Sequence, residues 1–171
     1  MIFKHAASFF PVLLFFSGAF AQGSGLEEKA PVLVDGFEYG YFIRNEQVKS
    51  TKNEEFARFE LTFYVTNKSG CTKLYADQVA LLSAETANLI ATFNCSNANG
   101  KRLTSKGGSV KARDFYMNAK VNISGKEVSQ SVKAGYIFRN GETLKNNVIV
   151  LLPPGERPRI SFNTNYLPEL R

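Results

Sequence analysis

Alternation of apolar and polar residues at a period of two is the feature of this sequence that most restricts its fold. Every second residue of 59–65 is apolar, and the residues between them are Glu60, Thr62 and Tyr64. This period is that of an extended chain with one buried face, because successive side chains of a strand point to opposite sides. The segment therefore predicts a β-strand that contributes one row of side chains to a core.

Other segments repeat this pattern at short intervals and are bounded by Gly, Pro or Asn. The predicted strands cover residues 89–95, 110–117, 119–124, 128–139, 148–152 and 160–166. The continuous apolar run 148–152 predicts a strand that is buried on both faces. Asn140-Gly141 predicts a hairpin turn. Residues 74–88 have a helical composition without a helical stripe, so they predict a strand and a turn, with a short helix as the alternative.

Many short strands and scant helical signal predict an all-β fold, a single antiparallel β-sandwich over residues 31–171, with a barrel as the alternative. Residues 60–70 (ELTFYVTNKSG) and 152–162 (LPPGERPRISF) resemble segments of small immunoglobulin-like envelope domains. The resemblance implies an immunoglobulin-like architecture and does not assign a function, because one fold serves many functions.

The N-terminus has the three parts of a cleavable signal peptide. Lys4 and His5 form a basic start, residues 6–16 form a short apolar run, and Ala19-Phe20-Ala21 has the small-x-small pattern of a cleavage site. Residues 1–21 are therefore expected to be removed, and residues 22–30 to form a flexible lead-in. We expect an exported protein, periplasmic or extracellular, with no transmembrane span after cleavage.

Cleavage would also remove His5, which is the only histidine of the chain. Sites that depend on Ser–His or Cys–His pairs, and the usual zinc-hydrolase sites, are then excluded. Cys71 and Cys95 are the two cysteines, and an oxidising compartment favours a disulfide between them. No phosphate-binding glycine motif or calcium loop is present. We therefore expect no cofactor and no metal.

Carboxylates are the acid–base groups that are left. A glycosidase needs two of them across a cleft, and Asp35 with Glu38, or Asp114 with a glutamate, are the candidates. Nothing in their spacing selects either pair. We therefore expect a protein that is not an enzyme, and we keep an envelope-glycan hydrolase as the alternative.

The most distinctive polar segment is residues 96–113, which contains no acid. Its cations, the candidate binding residues for an anionic partner, are Lys101, Arg102, Lys106, Lys111 and Arg113. An anionic glycan, lipopolysaccharide or an acidic protein would suit such a surface, and a solvated loop is the alternative. Nucleic acid is not expected, since no aromatic residue lies between Lys101 and Arg113 to stack on bases.

The function expected from these observations is that of an exported, non-catalytic binding or accessory domain. A secreted inhibitor or effector that blocks its target with a loop is a further alternative. The strand-like residues 36–43 carry Phe37, Tyr39, Tyr41 and Phe42. They predict either a docking surface with exposed tyrosines or a strand that is covered on both faces.

Overall fold

The computed structural model describes residues 24–50, 55–77, 86–99, 107–165 and 167–169. All regular structure in these residues is β-strand, as the sequence predicts. The strands are β1 Ser24–Leu26, β2 Val32–Val34, β3 Phe37–Ser50, β4 Glu55–Asn67, β5 Lys73–Ala76, β6 Leu89–Ser96, β7 Gly108–Lys111, β8 Arg113–Ile123, β9 Lys126–Phe138, β10 Thr143–Leu152 and β11 Arg159–Thr164. The predicted signal peptide, residues 1–21, lies outside the described residues.

The strands form three antiparallel sheets. The front sheet has the order β10-β4-β3-β2, the back sheet β1-β11-β6-β7, and the base sheet β5-β9-β8. Within the described residues none of them closes into a barrel, so the barrel alternative is wrong and the arrangement is consistent with the predicted β-sandwich. The immunoglobulin-like architecture stays a prediction.

Strand β4 supplies the centre of the core. Its alternating residues Phe59, Leu61, Phe63 and Val65 are all fully buried, which confirms the face that the sequence pattern predicts. The ring of Phe63 stacks on Phe93 of β6 at 4.7 Å between ring centroids, and Tyr39 of β3 stacks on Phe162 of β11 at the same distance. These aromatic pairs join the front and back sheets, since each has one ring in either sheet.

Asn67, at the end of β4, joins three parts of the chain. Its side-chain nitrogen donates to the carbonyl oxygens of Cys71 (2.9 Å) and Phe138 (3.0 Å), and its side-chain oxygen accepts from the amide (3.0 Å) and hydroxyl (2.7 Å) of Ser69. Asn67 is fully buried. Its amide group therefore has its two donors and its two lone pairs satisfied inside the protein.

The turn at Asn140-Gly141 is present, but the hairpin predicted there is wrong. Glu142 donates from its backbone nitrogen to the Arg139 oxygen, and Gly141 adopts a φ of 73°. The strands on either side belong to different sheets, because β10 pairs with β4 and β9 pairs with β5 and β8. The Gly141 amide donates to the backbone carbonyl oxygen of Asn67 at 2.8 Å. This bond directs the chain from the base sheet to the front sheet.

A second change of sheet occurs at Ala112, between β7 of the back sheet and β8 of the base sheet. The Ala112 amide donates to the Asn88 oxygen at 2.8 Å, and the Asn88 side chain donates to the Ala112 oxygen at 3.0 Å. The sequence predicts a single strand across this point and a break near Asn118. The break is at Ala112, where Asn88 satisfies the backbone groups that leave the ladder.

Two further predictions differ from the structure: the unpacked lead-in over residues 22–30 and the burial of residues 148–152 on both faces. Within the lead-in over residues 22–30, β1 pairs with β11 and Leu26 is buried, because the open edge of β11 accepts another strand. Residues 148–152 are not buried on both faces, since β10 is an edge strand of the front sheet. Ile149 and Leu151 are each 44% exposed, while Val150 and Leu152 enter the core.

The predicted disulfide between Cys71 and Cys95 is absent, and both cysteines are unpaired. Cys71 lies beside Asn67, which pairs with Phe37. Phe37 and Ile90 line one cavity, so the start of β6 lies at the same end of the sandwich as Cys71. Cys95 is five residues after Ile90 along β6. At about 3.3 Å per residue, Cys95 is roughly 16 Å from that end, whereas a disulfide needs Cα atoms within about 7 Å of one another.

Replacing Asn67 with alanine is expected to lower the free energy of unfolding by about 2–4 kcal/mol, because the buried Phe138 carbonyl would lose a hydrogen bond without access to water. Chemical denaturation measures this. The matched control is Asn118→Ala, an exposed asparagine, with an expected change within about 0.5 kcal/mol. Equal effects of the two substitutions would contradict the role given to the Asn67 amide.

Thiol labelling of the native, unreduced protein is expected to modify Cys71 and to leave Cys95 unmodified. Cys71 is exposed, whereas burial raises the pKa of the Cys95 thiol to about 12 and so suppresses its reactive thiolate. Mass spectrometry after digestion would locate the label, and unfolding in denaturant should expose the second thiol. No labelling of either residue before reduction would mean that the cysteines are bonded.

Candidate functional site

Strands β8 and β9 form a two-stranded arm that extends beyond the base sheet. They contain 11 and 13 residues, whereas β5, the third strand of that sheet, pairs only with Gly135–Phe138 at the end of β9. We define the arm as residues 116–132. Over this length no other strand of the described residues pairs with either β8 or β9.

The tip of the arm is a two-residue turn formed by Ser124 and Gly125. Both have positive φ values, 54° and 81°, as a type I′ hairpin turn requires. The Gly125 amide donates to the side-chain oxygen of Asn122 at 2.8 Å. This turn pairs Ile123 with Lys126 and so sets the register of the whole arm.

The arm has an apolar face and a polar face, because residues paired across an antiparallel ladder share one face. On the apolar face Met117 pairs with Val132 and Val121 with Val128, while Ala119 and Ile123 pair with the polar residues Gln130 and Lys126. Met117 is 52%, Ile123 53% and Val128 44% exposed. The opposite face carries Asn118, Lys120, Asn122, Glu127, Ser129 and Ser131, and Lys120 forms an ion pair with Glu127 at 3.2 Å.

A bulge marks the base of the arm. The register shifts between Phe115, which pairs with Gly135, and Tyr116, which pairs with Lys133, so Ala134 is an extra residue in β9. Gly135 has a φ of 149°, and a Cβ atom there would collide with the carbonyl oxygen of Tyr75 in β5. Bulges bend a strand and increase its twist, so this one sets the direction in which the arm leaves the sheet.

A cluster of charged and hydroxyl groups holds the arm at the same point. The Lys133 ammonium lies 3.0 Å from Asp114, 3.7 Å from Asp77 and 3.2 Å from the Tyr136 hydroxyl, which itself donates to Asp77 at 3.1 Å. Burial by itself would lower the pKa of Lys133, but the hydrogen bonds to Asp114 and Tyr136 outweigh it and raise this pKa. The cluster therefore links β8, β9 and the end of β5 through one cation.

The predicted basic site is only partly described. Lys101, Arg102 and Lys106 lie outside the described residues. Lys111 is exposed at the end of β7, and Arg113 forms an ion pair with Glu142 at 2.8 Å. Of the two cations within the described residues, Arg113 thus has an acidic partner, and the five-residue site stays a prediction.

The candidate carboxylates lie in different surroundings. Asp35 is exposed at the turn before β3, where it raises the pKa of Tyr39 after the larger effects of burial and of Tyr75. Burial, and then the Glu38 carboxylate, raise the pKa of Tyr64. Asp114 faces Lys133. Among the described residues, no group of three His, Cys, Asp or Glu side chains could hold a metal ion.

Tyr39 and Tyr41 are buried, so the idea of an exposed tyrosine surface on residues 36–43 is wrong. Beside Tyr39, the open end of the sandwich contains a cavity of about 280 Å³, and Tyr75 and the ion pair between Lys73 and Glu169 (2.9 Å) also line it. Burial, and then the Glu169 carboxylate, raise the pKa of Tyr75 to about 12. Both phenols therefore stay protonated at neutral pH.

Sequence reasoning missed the arm, although part of its signal is visible. Ser124-Gly125 lies between two strand-like segments, and Met117 to Ile123 alternate with polar residues. That pattern predicts one buried face, as it does for β4. It does not reveal that Met117, Ile123 and Val128 are about half exposed in the described structure. The described residues contain no helix long and apolar enough to cross a membrane.

Replacing Lys133 with methionine is expected to lower the free energy of unfolding by about 0.5–1 kcal/mol, since the partly exposed ammonium has two carboxylate partners. Hydrogen exchange should also quicken at the amides near Asp114 and Tyr136. The control is Lys120→Met, which removes a fully exposed ion pair and should change neither quantity measurably. Unchanged exchange in the Lys133 variant would show that the cluster does not hold the arm.

Comparison with known proteins adds no further assignment. No protein-family model matches the chain, and neither the curated proteins nor the solved structures contain a significantly similar one.

Proposed function

We propose that this protein is an exported, non-catalytic binding domain that serves as an accessory component of an extracytoplasmic assembly, and that the arm contacts its protein partner. The observation that carries this proposal is the apolar face of the arm. Met117, Ile123 and Val128 are each about half exposed on a ribbon that no other described strand covers.

Physical reasons favour a binding role for such a face. A two-stranded ribbon alone is marginally stable in water, so an arm of this length gains from a second surface. Contiguous exposed apolar side chains on a soluble protein mark interaction sites more often than isolated ones do. The cost of ordering the arm on binding is also reduced, because the tip turn and the Lys133 cluster already constrain its two ends.

The chemistry of the face indicates the kind of surface it fits. Met117 and the valines require an apolar contact, and Lys126 lies beside Ile123 at the tip as a cation. We therefore infer a protein partner with an apolar patch bordered by acidic groups. The basic residues Lys101, Arg102, Lys106, Lys111 and Arg113 are proposed as a second contact for the same acidic partner.

The test uses the double variant Met117→Ser/Val128→Ser. Cross-linking in the native source would identify the proteins in contact, and the purified partner would then be titrated against wild type and variant. Loss of two central apolar contacts, at about 1 kcal/mol or more each, is expected to raise Kd about thirtyfold or more. Thermal stability should change by less than the binding affinity does, since both side chains are already about half exposed in the free protein.

Asn118→Ala/Ser131→Ala is the matched control, because these residues form a neighbouring pair on the polar face. The affinity of this control variant for the partner should equal that of wild type. Equal binding by the apolar-face variant would contradict the proposal. So would an anionic glycan as the sole ligand, or glycan cleavage by the purified protein. Inhibition of a bound enzyme would instead identify the partner as the target of an inhibitor.

A further inference from the structure

The outer strands of the three sheets differ greatly in length. β1, β2, β5 and β7 have three or four residues, whereas β10 has ten and β8 has eleven. Short edges offer few backbone groups to another chain. The edge of β10 is approached by β7, since the Asn146 side chain donates to the Ser109 oxygen at 2.6 Å. Among the described strands, two long edges have no such neighbour: β8, and β9 over residues 126–133, where Lys126, Glu127 and Lys133 place three charges. The edge of β8 carries fewer charges and is therefore the better candidate.

The edge of β8 also lacks the features that usually prevent pairing with another chain. Natural edge strands carry proline, several charges or a bulge. Between Phe115 and Ile123 there is no proline, and Lys120 is the only charged residue. The bulge lies at the base of the arm, and its extra residue belongs to β9, so β8 itself continues without interruption.

The residues of this edge are complementary to themselves in one antiparallel register. With a two-fold axis at Ala119, Met117 faces Val121 of the second copy, and Ile123 faces Phe115. On the polar face Lys120 faces Asn118, and Asn122 faces Tyr116. No like charges are opposed, and apolar positions meet apolar ones throughout, as stable cross-strand pairs require.

Neighbouring registers are less favourable. An axis at Lys120 would place two ammonium groups directly opposite one another, and an axis at Asn118 would place Ile123 against Arg113. An axis between two residues would pair the apolar face with the polar face, because side chains alternate along a strand. The register at Ala119, which spans residues 115–123, is thus the longest one along β8 that satisfies both faces.

We propose that β8 pairs with the same strand of a second copy of this chain, antiparallel about Ala119, so that the two arms form one four-stranded sheet. This inference rests on the proposed function in treating the arm as the contact surface. The dimer joins two apolar faces into one of twice the width, which the partner of the assembly would contact. A ladder of nine residues is about 30 Å long, and such a small interface implies association in the micromolar range.

Sedimentation velocity of the purified protein between about 5 and 200 µM tests the dimer, since the expected affinity lies within this range. Wild type should show a concentration-dependent shift from monomer to dimer. Ala119→Lys and Ala119→Glu each place like charges at the axis, and each should weaken association at least tenfold. An equimolar mixture of the two variants should restore the dimer, because opposite charges then meet at Ala119.

Gln130→Lys is the matched control. Gln130 pairs with Ala119 within one arm and shares its face, but it lies on β9, three strand spacings, or roughly 14 Å, from its copy in the proposed dimer. This variant should dimerise as wild type does. Disruption by Gln130→Lys equal to that by Ala119→Lys would overturn the edge register, and so would a monomeric wild type at 200 µM. Circular dichroism melts of all three variants would establish that each is folded.

The two proposals can fail separately. A monomeric wild type whose partner affinity still depends on Met117 and Val128 would overturn the dimer and leave the proposed function standing. The opposite outcome is a dimer that Ala119→Lys and Ala119→Glu each weaken and their mixture restores, together with partner binding that Met117→Ser/Val128→Ser leaves unchanged. It would support the dimer and overturn the proposed function.

Discussion

The buried side-chain amide of Asn67 is the interaction on which the arrangement of the three sheets depends. Its four hydrogen bonds connect the end of β4, the loop at Ser69 and Cys71, and the end of β9. Its backbone amide donates to the Glu142 carbonyl oxygen and its carbonyl oxygen accepts from the Gly141 amide, in the turn that precedes β10. Since an unsatisfied buried amide is costly, these segments are constrained to meet at one point. The chain consequently leaves the base sheet there and enters the front sheet.

The arm follows from this constraint and from the second change of sheet at Ala112. Because β8 and β9 both belong to a sheet whose third strand has four residues, most of their length pairs with no further strand of the described residues. The bulge opposite Phe115 and the Lys133 cluster then act at the place where support by β5 ends. A long ribbon is thus held at its base by this cluster and at its tip by its own turn, while Met117, Ile123 and Val128 on its apolar face stay about half exposed.

An open apolar face and a long open edge are features that stable monomers usually avoid. In this chain they occur on the same element, and the other long edge, β10, also exposes Ile149 and Leu151. The core does not require this exposure, since the aromatic stacks of Phe63, Phe93 and Phe162 are complete without the arm. The arm therefore contributes little to the core, and this agrees with the interaction role that we propose for it.

The sequence by itself determined the all-β class and the buried face of β4 and of β6, because a period of two specifies the side to which each residue points. It also located the turn at Asn140-Gly141. Tertiary structure decided which strands are neighbours, and hence that this turn changes sheets, that β10 is an edge, that β1 packs on β11, and that Cys71 and Cys95 stay apart. Asn67 and Lys133 gave no local signal, since their partners are distant in sequence. Alternation along a strand shows that one face of the strand is apolar. Whether the protein buries that face depends on the positions of the other strands, which the alternation does not specify.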